Sequence, residues 1–244
     1  MGFVVQPEET GAYRAMADRV AAMRSASDPD REDAILRHYG FAIPTDAALD
    51  EIAVRSPGGV VELGAGVGYW AHHLSARGVD VIAYDIEPPP STHNHRFAGS
   101  TPWHPIVRGD ERVVVDHADR SLLLIWPTKN ETWATEALVG YHAAGGACVL
   151  YVGDGPGGRT GDPTFHATLG DLGPCLPCTL GVLDAPCTCT APQLWRRQNE
   201  VVLPAWQAED VRLYVYAPAI TQPPSVRRRI AGRVAAIRAR RRRN

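Results

Sequence analysis

Lysine is almost missing from this 244-residue chain: of its 25 basic residues only Lys129 is a lysine, and the rest are arginines. Arginine in place of lysine, with abundant alanine, glycine and proline, is a composition associated with GC-rich bacterial genes. Long apolar runs are also missing. None approaches the roughly 20 residues that span a bilayer, which argues against a membrane protein. The opening MGFVVQPEETG has neither the positive nor the apolar region of a signal peptide, so the expected location is the cytoplasm. No serine triad and no spaced pair of catalytic carboxylates stands out.

Apolar residues make up 45% of the chain and charged residues 21%, enough for one large domain with a substantial core. Charge is unevenly placed. Nine arginines and no acid fall between Val226 and Asn244, leaving 16 basic against 27 acidic residues elsewhere, a net of −11. An acidic body therefore carries a basic tail. Basic residues interleaved with aromatics are missing from that body, which argues against a large nucleic-acid footprint.

The informative stretch is VVELGAGVGYWAHHLSARGVDVIAYD, Val60 to Asp85. An apolar run ends in Gly64, Gly66 and Gly68, a helical pattern follows, and a second apolar run closes on Asp85. This reads as strand, glycine turn, helix, strand and terminal acid. Glycine is needed where the backbone takes positive φ or must approach a ligand closely. An acid about 20 residues past the first glycine is placed to accept from a ribose diol. A dinucleotide fingerprint would want glycine where Tyr69 stands, and a phosphate loop would want Lys then Ser or Thr.

The remaining pattern, E-x-G-x-G-x-G, resembles the first motif of class I S-adenosylmethionine-dependent methyltransferases. The resemblance spans about Val60 to Pro218. It implies an α/β fold: a seven-stranded, mostly parallel Rossmann-like sheet with helices on both faces and an antiparallel last strand. It implies that Gly64, Gly66 and Gly68 pass under the cofactor, that Asp85 holds the ribose hydroxyls, and that Glu62 acts at the methionine end. Asp110, after a short strand at Ile106 and Val107, is the positional match to an acid that accepts from the adenine amino group. The run including RGD, LLLIWP, YVGDG and LYVY also resembles a bacterial group of Rossmann-like proteins.

Before this domain, helical patterns fall over Glu8 to Arg24, from Asp30 to Gly40, and over Ala47 to Val54. Residues 1–56 are expected to form a helical cap, with Tyr13 or Tyr39 as substrate contacts or as packing. After Asp85, three successive prolines prevent an immediate helix. The loop they begin carries His93, Asn94, His95, Trp103 and His104 near the sheet edge where ligands bind. His93, His95 and His104 are the candidate bases, histidine being able to move protons near neutral pH.

Ser121 to Trp126 reads as a buried parallel strand. Amino-group methyltransferases of nucleic acid carry an acidic or amide residue followed by prolines at its end. Trp126-Pro127-Thr128 departs from that pattern and weakens a DNA or RNA reading. Trp126 could face the sulfonium by cation–π attraction, face a flat substrate, or cap the core. A helix over Thr132 to His142, a strand over Ala147 to Val152 containing a core Cys148, and a helix from Asp162 to Leu169 complete this part.

A cysteine-rich insertion at 173–192 sets Cys175 and Cys178 in C-x-x-C, and Cys187 and Cys189 in C-x-C. Four thiolates could close a tetrahedral structural zinc; a disulfide pairing or unrelated thiols are the alternatives. Glu200 to Leu203 and Val211 to Ala217 read as the last strands. The Rossmann-like domain thus covers 57–218, and 219–244 form a basic helix or tail.

The function this implies is methyl transfer from S-adenosylmethionine to a small molecule of the specialised-metabolite kind. The alternatives are another S-adenosylmethionine reaction, such as intramolecular cyclisation, and a zinc-stabilised interaction module without turnover.

Overall fold

A computed structural model describes residues 36–42, 44, 46–94, 96–172 and 212–216. Residues 36–39 are helical, and helix α1 follows over Asp46–Arg55. Its charges suit the helix dipole, with Asp46 in the first turn and Arg55 in the last. The strands are β1, Val60–Leu63; β2, Val81–Asp85; β3, Ile106–Arg108; β4, Ser121–Ile125; β5, Val149–Gly153; and β6, Arg212–Tyr216. Helix α2, Tyr69–Ala76, joins β1 to β2; α3, Trp133–Ala143, joins β4 to β5; and α4, Pro163–Leu172, follows β5.

These strands form one sheet in the order β3-β2-β1-β4-β5-β6. The first five run parallel, and β6 pairs antiparallel with β5. The chain starts at the centre with β1, moves outward through β2 and β3, then returns to the other side of β1 as β4. Beyond the carboxyl ends of β1 and β4 the connections diverge, opening the crevice that ligands use in such sheets.

The two faces follow the two-residue period of a strand. Val60, Leu123, Leu150 and Val152 pack with Leu49 and Ile52 of α1 and Trp70 and Leu74 of α2. Their neighbours Val61, Leu63, Leu122, Leu124, Val149 and Tyr151 lie in a second cluster with α3 and α4, including Leu138, Tyr141 and Phe165. Both faces are covered, so β4 reads as an unbroken apolar run from Leu122 to Ile125, and β1 is apolar but for Glu62. Each fully buried leucine contributes about 1.5–3 kcal/mol. Alternation also places Glu62 on the Val60 face, above the start of α2.

At the sheet's other end, Tyr141 fastens α3 by sharing its one hydroxyl proton between the carbonyls of Arg120 at 2.6 Å and Cys148 at 2.9 Å. Arg77, which caps the C-terminus of α2, pairs with Asp46 and, at 2.9 Å, with Asp50, locking α2 to α1. Cys148 is partly buried against the first core cluster, and burial pushes its thiol pKa up, in keeping with an inert core thiol.

The expected seven strands are corrected to six among the described residues. The strand expected at Glu200 to Leu203 lies outside those residues, as do the cysteine insertion, Tyr13 and the basic tail. The expected strand over Ala147 to Val152 begins at Val149 and extends to Gly153. Gly146 follows the end of α3 and its N–H bonds the carbonyl of Tyr141 at 2.9 Å, so the chain there is still closing the helix.

Candidate functional site

Gly64, Gly66 and Gly68 have φ of 74°, 58° and 70°. All three lie in the left-handed region, where a β-carbon is strained. Space for a side chain is also short. A β-carbon on Gly66 would come within 2.9 Å of the Phe97 ring, one on Gly64 within 3.0 Å of Trp133, and one on Gly68 within 3.1 Å of the His104 β-carbon. The turn is tied to β2: the N–H groups of Gly64 and Ala65 both donate to the Tyr84 carbonyl, at 2.8 and 2.9 Å.

Asp85 ends β2 beside this turn and is buried, with 7% exposure. Its Oδ2 accepts the Gly66 N–H at 2.9 Å, and its Oδ1 accepts the Glu87 N–H at 2.9 Å. Burial raises its pKa against the lowering effect of these two amides, and the Glu87 charge raises it further. A carboxylate has about four acceptor positions, so two donors leave capacity for a ligand's hydroxyls.

Glu62 sits one layer deeper at 1% exposure, and its Oε2 has no hydrogen-bond partner. Burial pushes its pKa up to about 8; the Ala71 N–H opposes the rise and the Asp85 charge adds to it. At neutral pH this carboxyl is mainly protonated. A buried, orphaned polar atom is costly unless something arrives to satisfy it.

Across the crevice, Trp126 follows β4 with φ of 50°, a left-handed conformation uncommon for a bulky residue. Its backbone N–H donates to the Val152 carbonyl at 2.8 Å. Its ring is parallel to that of Phe41, within 1° at a 6.3 Å centroid distance, and the Arg159 guanidinium lies 5.0 Å from its centroid. Phe97 meets Phe41 edge-on at 6.0 Å. An aromatic wall therefore runs from the glycine turn to the end of β4.

The loop after β5 supports that wall. Asp154 accepts the backbone and side-chain N–H groups of Arg159, each at 2.9 Å. Thr160 accepts the Asp154 N–H at 2.9 Å and shares a 2.5 Å hydrogen bond with the Tyr151 hydroxyl. Asp162 caps α4 through the Thr164 and Phe165 amides at 2.6 and 3.1 Å, and receives Thr135 of α3 at 2.5 Å. Gly161 donates to the Pro127 carbonyl at 2.9 Å, joining this loop to the one carrying Trp126.

His93 is exposed on the loop after β2, and His95 is outside the described residues. His104 has its β-carbon by Gly68 and its ring hydrogen bonded to backbone at Val81, and burial lowers its pKa. Asp110 follows β3 and forms an ion pair with Arg112. Tyr39 is buried, 5.1 Å edge-on to Tyr69 and 6.2 Å from Trp103, so packing accounts for it. Among the described residues, no group of three or more His, Cys, Asp or Glu could hold a metal. Cys175, Cys178, Cys187 and Cys189 lie outside them.

Phe41, Phe97, Trp133 and the Asp154–Arg159 pair were not singled out by the sequence. Their roles come from contacts between distant segments, which no local motif carries.

The strand order, the glycine turn and the buried acid ending β2 define a doubly wound α/β domain of the Rossmann-like class. No family model matches the chain, and no curated protein matches it. Among solved structures it is similar to magnesium protoporphyrin IX methyltransferase from Synechocystis PCC 6803 with bound SAH, at 14% identity and a TM-score of 0.36, over 63% of this chain and 82% of that one. It is also similar to an O-methyltransferase family protein from Burkholderia thailandensis, at 10% identity and a TM-score of 0.31, over 61% and 52%. A third likeness is to human N-acetylserotonin methyltransferase in complex with SAM, at 14% identity and 0.28, over 63% and 43%.

Proposed function

We propose that this protein is an S-adenosylmethionine-dependent methyltransferase acting on a small molecule. The observation that carries the reading is the Gly64–Gly68 turn, closed on Asp85 by the Gly66 amide, with the orphaned Glu62 carboxyl beneath it. When bound, S-adenosylmethionine supplies an electrophilic methyl group on a sulfonium. The chain's residues fit such a ligand: the glycines leave backbone open to close approach, Asp85 keeps acceptor capacity for a diol, and Glu62 provides a buried oxygen for a cationic end. In this reading Asp110 accepts from the adenine amino group once released from Arg112.

Trp126 belongs to the acceptor side, since its ring contacts are Phe41 and Arg159. Sulfonium chemistry asks the protein mainly to align reactants and exclude water, tasks suited to a rigid aromatic wall. Proton removal, where the acceptor requires it, is assigned to His93, His95 or His104. A structural zinc on Cys175, Cys178, Cys187 and Cys189 belongs to the same proposal. Unchanged metal content of Cys175→Ser by elemental analysis would reject that ligand role.

The test is incubation with methyl-labelled S-adenosylmethionine and an acceptor library, read by product mass. Labelled methyl on an acceptor, with S-adenosylhomocysteine released, is the expected outcome. Methylthioadenosine release with a cyclised aminocarboxypropyl product would replace methyl transfer by intramolecular chemistry.

A further inference from the structure

We infer that the acceptor is a flat aromatic carboxylate, lying against the Phe41–Trp126 wall with its carboxylate on Arg96. The inference rests on the methyltransferase reading and names the substrate class of that same site.

Phe41 and Trp126 are stacked, with planes parallel within 1° and centroids 6.3 Å apart, and planar π systems are the ligands that gain most from joining such a stack. The wall has a guanidinium at each end: Arg159 is 5.0 Å from the Trp126 centroid, and Arg96 is 5.9 Å from that of Phe41. These two arginines differ. Arg159 is compensated by Asp154, whereas Arg96 is exposed and forms no ion pair with an acid among the described residues. That is unusual in this acidic body, where Arg55, Arg77, Arg108, Arg112 and Arg120 each meet a carboxylate.

Arg96 is also held in place. Asn94 Oδ1 accepts the backbone N–H groups of Arg96 and Phe97, each at 3.0 Å, and its Nδ2 donates to the Glu87 carbonyl at 2.9 Å. Glu87 in turn donates its N–H to Asp85. One asparagine thus sets Arg96 over the wall and Phe97 against Gly66, joining acceptor surface to glycine turn. A guanidinium fork matches a planar carboxylate with two parallel hydrogen bonds, which a neutral amide cannot reproduce.

The test is a calorimetric titration of the full chain with 2-naphthoate and with 2-naphthamide, each with and without saturating S-adenosylhomocysteine. We expect naphthoate to bind at least about tenfold tighter than naphthamide, a difference of roughly 1.4 kcal/mol. Arg96→Gln should remove the difference while leaving S-adenosylhomocysteine affinity unchanged, and Trp126→Leu should weaken both probes. Equal affinity of acid and amide in the wild type overturns the inference, as does an undiminished preference in Arg96→Gln. Should that variant fail to fold by circular dichroism, the wild-type ratio decides alone. S-adenosylhomocysteine binding without naphthoate binding overturns this inference and leaves the methyltransferase reading standing. Naphthoate preference without S-adenosylhomocysteine binding overturns the methyltransferase reading and leaves only an aromatic-carboxylate site at Arg96, and absence of both overturns both.

Discussion

At β1 and β2 the carboxyl edge of the sheet is made of backbone: three left-handed glycines, two amides on the Tyr84 carbonyl, and one amide on Asp85. At β4 and β5 the same edge is made of side chains: Trp126, Arg159, Asp154, Thr160 and the distant Phe41. The backbone half has one solution, because removing β-carbons is the only way to make room. The side-chain half has many, since flatness and charge can come from different residues. A fixed cofactor suits the first construction and a variable acceptor suits the second.

The strongest way to break that contrast is Gly66→Val. It adds a branched side chain at φ of 58° and drives a β-carbon toward Phe97. A loss of S-adenosylhomocysteine affinity of about 100-fold or more is expected by calorimetry, from strain and overlap together. Asp85→Ala should cost less, about 1.5–3 kcal/mol or roughly 10- to 100-fold, the scale of hydrogen bonds to a charged group.

Glu62 sharpens the comparison through pH. A carboxyl whose folded pKa is raised from 4.5 to about 8 binds its proton more tightly when folded. Its stabilising contribution is present below pH 4.5 and is lost as pH rises toward 8. Glu62→Gln should therefore be more stable than wild type by about 1 kcal/mol or more at pH 9, with the gap closing by pH 5, in chemical denaturation. The same proton should leave when a cationic ligand binds. S-adenosylmethionine titrations at pH 7 in buffers of different ionisation enthalpy should show release of up to about one proton, absent in Glu62→Gln.

The smallest effect belongs to the side-chain half. Arg159→Met removes a partly exposed ion pair with Asp154 and a cation from Trp126. Thermal unfolding should show a loss of about 1 kcal/mol or less, with S-adenosylhomocysteine affinity intact.

The same contrast explains what could be read from the chain. The glycine turn was legible because Glu62, Gly64, Gly66, Gly68 and Asp85 serve their purpose within one strand–helix–strand unit, so spacing in sequence is spacing in space. The buried strand at Ser121 was legible from its unbroken apolar run. The aromatic wall was not, because Phe41, Phe97, Trp126 and Arg159 come from four separate segments that only the sheet brings together. His104 shows how little its place in the loop tells: its β-carbon lies by Gly68 of the glycine turn while its ring hydrogen bonds backbone at Val81. Asn94 looked like one polar loop residue among several, and only its three bonds identify it as the staple of that loop.

The central claim is that the glycine turn and Asp85 hold S-adenosylmethionine. Titrating wild type and Gly66→Val with S-adenosylhomocysteine in parallel tests it most directly. Saturable one-to-one binding by the wild type and its loss in the variant is the predicted result. No binding by a folded wild type, or equal binding by both proteins, would contradict the account.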